Sequence, residues 1–249
     1  MGIMSIFTNI YLGFSKKKFL KPFKPLSNKN HRNFLISAPG NAAEFLRIIP
    51  YIAGLKKYGT IVMLVPNNHK SLCNFIKPNT FNFIFYKILP KVLSKEHNAL
   101  KEQLHKQRFH YIIELNKPAN ISLVYLTDAE RRIAFYEQEK FPYYNIMLRD
   151  SVESLCDFFA IQKTDPKNLL KFHIRDIKSI LKKYNKIKPI LLINGRDIVT
   201  WQGDKIIIGK DVTADNSEVY KLIIGADAYC GQHDEFFEFA KMLNKEIIA

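Results

Sequence analysis

The sequence predicts an α/β protein of two Rossmann-like units, each built on a parallel sheet, with the second unit reduced. Three observations carry this reading. Short apolar, β-branched runs alternate with stretches of helical periodicity over most of the chain. A polar, proline-containing stretch, residues 162–168, interrupts the alternation past its middle. Hydrophobic residues make up 47% of the 249, enough for a sizeable core and too many for a disordered chain.

In chain order, residues 1–32 read as a separate segment. Ile3, Ile6, Phe7, Ile10, Tyr11 and Phe14 recur at helical spacing and are followed by Lys16, Lys17, Lys18, Lys21 and Lys24. An apolar helical face joined to a lysine cluster suits the surface of an anionic membrane, or else a helix packed on the protein's own core with a solvated basic tail. Pro22 and Pro25 end the helix. The first Rossmann-like unit is expected over 33–160. Phe34–Ile36 is its first strand, residues 37–40 turn, and residues 42–58 carry a helix through Phe45, Ile48, Ile49, Ile52 and Leu55, stopped at Gly59. Strands follow at 60–65, 81–85, 111–115 and 132–135, with helical stretches at 71–76, 92–107 and 121–126. Residues 144–159 read as one longer helix. The second unit, 161–249, is expected to carry helices at 174–184, 215–224 and 234–243, with strands at 189–193, 205–208, 228–230 and 246–248.

Composition narrows the function. The formal charge is +15, an attraction for anionic surfaces that a Lys-, Asn- and Ile-rich coding bias also produces. No apolar run is long enough for a transmembrane helix, and the N-terminal segment has its charges after its apolar part, the reverse of a signal peptide. The expectation is a cytoplasmic protein, with peripheral attachment to the inner face of the cytoplasmic membrane through residues 1–32. Cys73, Cys156 and Cys230 are far apart, without a CxxC, which fits buried thiols in a reducing compartment. No metal site and no cofactor are expected. There is no GxGxxG, no P-loop and no GxSxG, and no aromatic–basic RNA-binding motif, so nucleic acid is not an expected partner.

Several segments, in order, carry a resemblance. Asn41-Ala-Ala-Glu44 opens a helix after the first strand, with Pro50 two turns on. His110-Tyr-Ile-Ile-Glu-Leu115 and Arg131-Arg-Ile-Ala-Phe135 follow, then Gly225-Ala-Asp-Ala-Tyr-Cys-Gly-Gln-His-Asp-Glu235 and residues 240–249. Together they resemble the bacterial heptosyltransferases, the family 9 glycosyltransferases of GT-B fold, over most of residues 33–249. The resemblance implies an acceptor-type first domain and a donor-type second domain. It also implies transfer of a heptose from a nucleotide sugar to an envelope glycan acceptor, as in lipopolysaccharide assembly.

Residue by residue, the resemblance puts Glu44 on the family's catalytic acidic position, where a carboxylate takes the acceptor's proton. A first-turn glutamate stabilising its own helix is the other reading. Gly40 and Asn41, Lys117 and Arg131 are the acceptor-side candidates. Asn41 as a helix cap, Lys117 as a solvated loop lysine and Arg131 as a strand flank are the alternatives. Gly195, Arg196, Gly231, His233 and Asp234 are the donor-side candidates. The sequence departs from the family there. A family Asp-Ser-Gly, whose small residues let phosphates reach backbone amides, is replaced by His233-Asp234-Glu235. Asp234, Glu235 and Glu238 are expected to put three carboxylates where a phosphate would sit. The sequence also stops at Ala249, before the loop and helices that complete the family's donor site. Two functions stay open: a glycosyltransferase using Glu44, or a GT-B scaffold without catalysis that serves as a binding or structural subunit of an assembly.

Overall fold

The computed structural model describes residues 11–21, 31–149, 151–195, 199–211 and 215–248. Ile3, Ile6, Phe7, Ile10, Lys24 and Arg196, singled out above, lie outside the described residues. The chain divides into two compact units. The first comprises Met1–Pro39, Gly54–Asn67 and Phe81–Gln162; the second comprises Gly40–Ala53, Asn68–Thr80 and Lys163–Ala249. One junction between the units falls at Gln162 and Lys163, within the polar stretch. The grouping of 40–53 and 68–80 with the C-terminal residues differs from the contiguous division read from sequence. It arises because the helix Ala42–Ala53 packs on a helix at the far end of the chain.

The first unit holds β1 (Arg32–Ser37), β2 (Gly59–Pro66), β3 (Asn82–Tyr86), β4 (Tyr111–Glu114), β5 (Arg131–Phe135) and β6 (Ile146–Leu148). They form one parallel sheet in the order β3-β2-β1-β4-β5-β6. β2 is nearly all apolar, and β1, β4 and β5 each carry a run of three apolar residues; these runs are buried, the pattern of parallel strands covered on both faces. Gly59 begins β2 rather than only ending the preceding helix; a Cβ there would run into the Arg32 carbonyl. The helix expected over 144–159 is in fact the strand β6 followed by a short helix, Glu153–Phe159. Asn145 sets the strand: its backbone N–H donates to the Arg132 carbonyl, and its side-chain oxygen accepts from the Arg132 N–H, both at 2.9 Å. Residues 121–125 form a 3₁₀ turn rather than an α-helix. In the helix Lys95–His105, Ser94 is the N-cap, accepting from the His97 N–H at 3.1 Å.

Residues 11–21 belong to this unit. They run as a helical stretch, 11–15, into the 3₁₀ helix Lys16–Leu20. Phe19 is buried among Tyr125 and Tyr143, and the Tyr143 hydroxyl donates to the Leu12 carbonyl at 2.9 Å. Phe14 and Leu20 stay exposed, 81% and 59%, beside exposed Lys16, Lys17, Lys18 and Lys21.

The second unit holds β7 (Ile190–Asn194), β8 (Asp204–Ile207), β9 (Ala228–Gly231) and β10 (Glu246–Ile248), a parallel sheet in the order β10-β9-β7-β8. Its helices are Ile174–Lys183, Asn216–Gly225 and Glu235–Met242, with Ala42–Ala53 and the short Lys70–Cys73 joining them. Phe75, Tyr220 and Phe239 meet edge-on in the helical layer, with ring centroids 4.8 to 5.8 Å apart. Among the described residues, no helix is long and apolar enough to cross a membrane.

Candidate functional site

Open parallel sheets bind ligands beyond the carboxyl ends of the strands, where the strand order reverses. In the first unit that point lies between β1 and β4. Ser37 ends β1 and Glu114 ends β4, opposite one another, and both are completely buried. One Glu114 oxygen accepts from the Asn116 backbone N–H at 2.9 Å and its side-chain amide at 2.7 Å; the other accepts from the Asn120 N–H at 3.3 Å. The same Asn116 amide donates to the Ser37 hydroxyl and to the Ala38 carbonyl. Burial pushes the Glu114 carboxyl up to about 7, against the hydrogen bonds from Asn116, Asn120 and Ser37 that hold it down. Tyr86, at the end of β3, is pushed up to about 12 by burial and then by the Glu114 charge. Sequence reasoning did not single out Glu114 as a site residue. Its one signal is a carboxylate inside an otherwise apolar strand, with an asparagine two residues on.

The acceptor-side candidates of this unit do not come together. Lys117 follows β4 at the carboxyl edge, exposed, its ammonium 4.6 Å from the centre of the Phe135 ring. Arg131 is the first residue of β5, paired with Tyr111 at the start of β4, and so stands at the amino edge. It is buried, with its guanidinium 3.9 Å from Glu130 and 5.7 Å from the Tyr111 ring centre. Arg132 is a staple: it donates to the carbonyls of Tyr143, Ala129, Glu130 and Phe19 at 2.6 to 3.2 Å.

In the second unit, Asn41 caps the helix Ala42–Ala53, its side-chain oxygen accepting from the Glu44 N–H at 3.1 Å. Gly40, Asn41 and Glu44 are exposed. Glu44 thus sits in the first turn, where either reading of its carboxylate holds.

The strand order of this unit reverses between β7 and β9, whose ends, Asn194 and Gly231, are register partners. Asp234 fills this position. One of its oxygens accepts from the N–H groups of Phe236 and Phe237, both at 3.0 Å; the other accepts from the Asn194 amide at 2.6 Å. The amides that would meet a phosphate at the start of the helix Glu235–Met242 are therefore already paired. Gly231 is tight: a Cβ there would lie 2.7 Å from the Tyr229 hydroxyl and 2.9 Å from the Asn194 Cβ. Gly195 lies in open space at φ +143, and His233 rests on Phe237 with centroids 4.1 Å apart. The expectation of three carboxylates around one phosphate position is corrected for Glu238. That residue is buried one turn into the helix and paired with Arg47 at 2.9 Å.

Two parallel Rossmann-like sheets of six and four strands define a GT-B-like α/β protein. Among solved structures, the chain is similar to the family 9 glycosyltransferase of Veillonella parvula, with TM-score 0.68 and 10% identity over 90% of this chain and 82% of that one. It is similar also to the Escherichia coli ADP-heptose lipopolysaccharide heptosyltransferase II, with TM-score 0.62 and 12% identity over 86% and 83%. The E. coli heptosyltransferase WaaC, solved with ADP-2-deoxy-2-fluoro heptose, matches with TM-score 0.55 and 9% identity over 87% of each chain. No protein-family profile and no curated sequence matches the chain. At these identities the likeness establishes the fold, and the chemistry has to be argued from the residues.

Proposed function

We propose that this is a heptosyltransferase-like GT-B protein of cell-envelope glycan assembly whose nucleotide-sugar position is closed by its own side chains, so that it serves as a binding or structural subunit rather than a transferase. The observation that carries this is Asp234. Its carboxylate takes both helix-start amides and the Asn194 amide. A diphosphate would have to displace a charge-assisted network and approach a like charge. The experiment is calorimetry with ADP, UDP and ADP-heptose on the native protein and on Asp234→Ser. The native protein should bind none of them at millimolar concentration, and the serine variant should gain binding. Micromolar binding and turnover by the native protein, with turnover lost in Glu44→Gln, would overturn the proposal.

That outcome would favour the second reading, a transferase with Glu44 as base, Gly40, Asn41, Lys117 and Arg131 toward the acceptor, and Gly195, Arg196, Gly231 and His233 toward the donor. The exposure of Glu44 in a first helical turn supports it. In either case the protein is cytoplasmic and bound peripherally to the membrane's inner face. The exposed Phe14 and Leu20 beside the exposed lysines of residues 16–21 support that placement. Salt-sensitive binding to anionic liposomes that is lost on deleting residues 1–32 is the expected result; retained binding would refute it.

A further inference from the structure

The amino edge of the first unit's sheet carries a recess of about 500 Å³ that the function above does not use. Its walls are the last turns of the helix Lys95–His105, the 107–110 segment and the 126–131 loop. Lys101, His105, Arg108, His110 and Arg131 line it, against the carboxylates of Asp128 and Glu130. Asp128 is drawn toward Lys18, at 3.5 Å, and Glu130 is half exposed near Arg131.

We propose that this recess is an anion site that takes a phosphate monoester carried on a small polar body, either free in solution or as a lipid headgroup. Two features of geometry support it. Arg131 is buried, so its guanidinium is held in place by packing and loses little freedom when an anion arrives. His110 is oriented as well: its Nδ1 accepts from the Asn33 backbone N–H at 3.0 Å, which leaves Nε2 as the protonated nitrogen of the neutral ring, a donor. The local field agrees. Burial lowers the His110 pKa first, and the charges of Arg108, Arg131, Arg32 and His31 lower it further. The helix Lys95–His105 ends here, and its carbonyls bring about half a negative charge. Lys101, Arg108 and Arg131 outweigh it.

A monoester suits the recess better than a nucleotide diphosphate. Among the described residues that line it Phe109 is the only phenylalanine, tyrosine or tryptophan and it is buried, so the recess offers a base no broad apolar ring face. The neighbouring recess along the same 127–130 loop shares Asp128 and Glu130 with this one and adds Lys18 and Lys21, so exposed lysines continue toward the exposed Phe14 and Leu20. That continuity is what a lipid headgroup would use.

The test is a titration of the intact protein with glucose 6-phosphate, inorganic phosphate and a short-chain phosphatidic acid below its micelle concentration. It is followed by calorimetry and by the imidazole resonances of His110. Saturable 1:1 binding is expected, with the His110 pKa rising on occupancy. Affinity should fall about tenfold in Arg108→Glu, whose side chain is exposed and whose loss the fold tolerates. Lys101→Glu should act likewise, while Lys178→Glu, the same charge change in the second unit, should leave it unaltered. Competition between phosphatidic acid and glucose 6-phosphate for the His110 signal would identify a headgroup site; binding of the sugar phosphate alone would identify a soluble ligand. Failure of all three probes to saturate, or binding indifferent to Arg108→Glu, overturns the proposal.

Discussion

Replacing Glu114 by glutamine should reverse the sign of its effect on stability between mildly acidic and mildly basic pH. The carboxyl is fully buried, and its pKa is raised from 4.5 to about 7. The unfolded chain therefore releases this proton near 4.5, while the folded chain holds it to about 7. Below 4.5 both states are protonated and folding carries no penalty. As pH rises from 4.5 to 7 stability is lost progressively, and above 7 the loss reaches about 3 kcal/mol. Glutamine does not titrate. Its amide nitrogen, set where Glu114 Oε2 now accepts from the Asn120 N–H, faces a donor instead, at a cost of about 1–2 kcal/mol. The variant should be the less stable protein at about pH 5 and the more stable one at about pH 8, the difference moving by about 2–3 kcal/mol. The assay is urea unfolding across that range. The only tryptophan, Trp201, lies in the second unit, so far-ultraviolet circular dichroism must be recorded beside fluorescence to follow the first. Stability curves of native protein and variant that run parallel in pH would refute the reasoning.

Three further outcomes are expected. Asp234→Ala should cost about 2–4 kcal/mol, a helix cap and the Asn194 bond together, whereas Asp234→Asn, whose side-chain oxygen can take the same two N–H groups, should recover about 1 kcal/mol of it; equal losses in Trp201-monitored unfolding would deny the cap. Arg132→Met removes the guanidinium from the carbonyls of Phe19, Ala129 and Tyr143 and should free residues 11–21, read as faster tryptic cleavage at Lys16–Lys18. Cys73 is buried, and burial pushes its thiol up to about 12, so at pH 8 a thiol reagent should modify Cys156 and Cys230 first and Cys73 only on unfolding.

The alternation of strands and helices was legible because β1, β2, β4, β5 and β7 each hold three or more consecutive apolar residues, set off by turns and helical stretches. β6 was not. Ile146-Met-Leu148 continues the apolar spacing of the residues around it, and only pairing with Ile133–Phe135 makes it a strand. Asp234 was legible as a carboxylate at the start of a helix, but the expected span 234–243 put it inside the first turn, and only its bonds to Phe236 and Phe237 make it the cap. The direction of Glu238 was not, since its partner, Arg47, is distant in sequence. Glu114 was hidden for a related reason: a lone acid in a strand gains meaning only when Ser37 and Asn116 are known to surround it. Arg131 and Lys117 looked like neighbours in one site because a linear reading does not separate the two edges of a parallel sheet.

The interleaved make-up of the two units has a consequence for synthesis. The helix Ala42–Ala53 leaves the ribosome with a buried face that includes Phe45, Leu46, Ile49 and Ile52. The helix it packs against, Glu235–Met242, is made only after the long stretch between them. That face must wait, unsheltered, while the intervening chain is made, a load for chaperones that a protein of consecutive domains avoids. Cutting between residues 162 and 163 would leave each fragment short of the other's helices. Such halves should be soluble only when produced together, as complementing fragments rather than as domains.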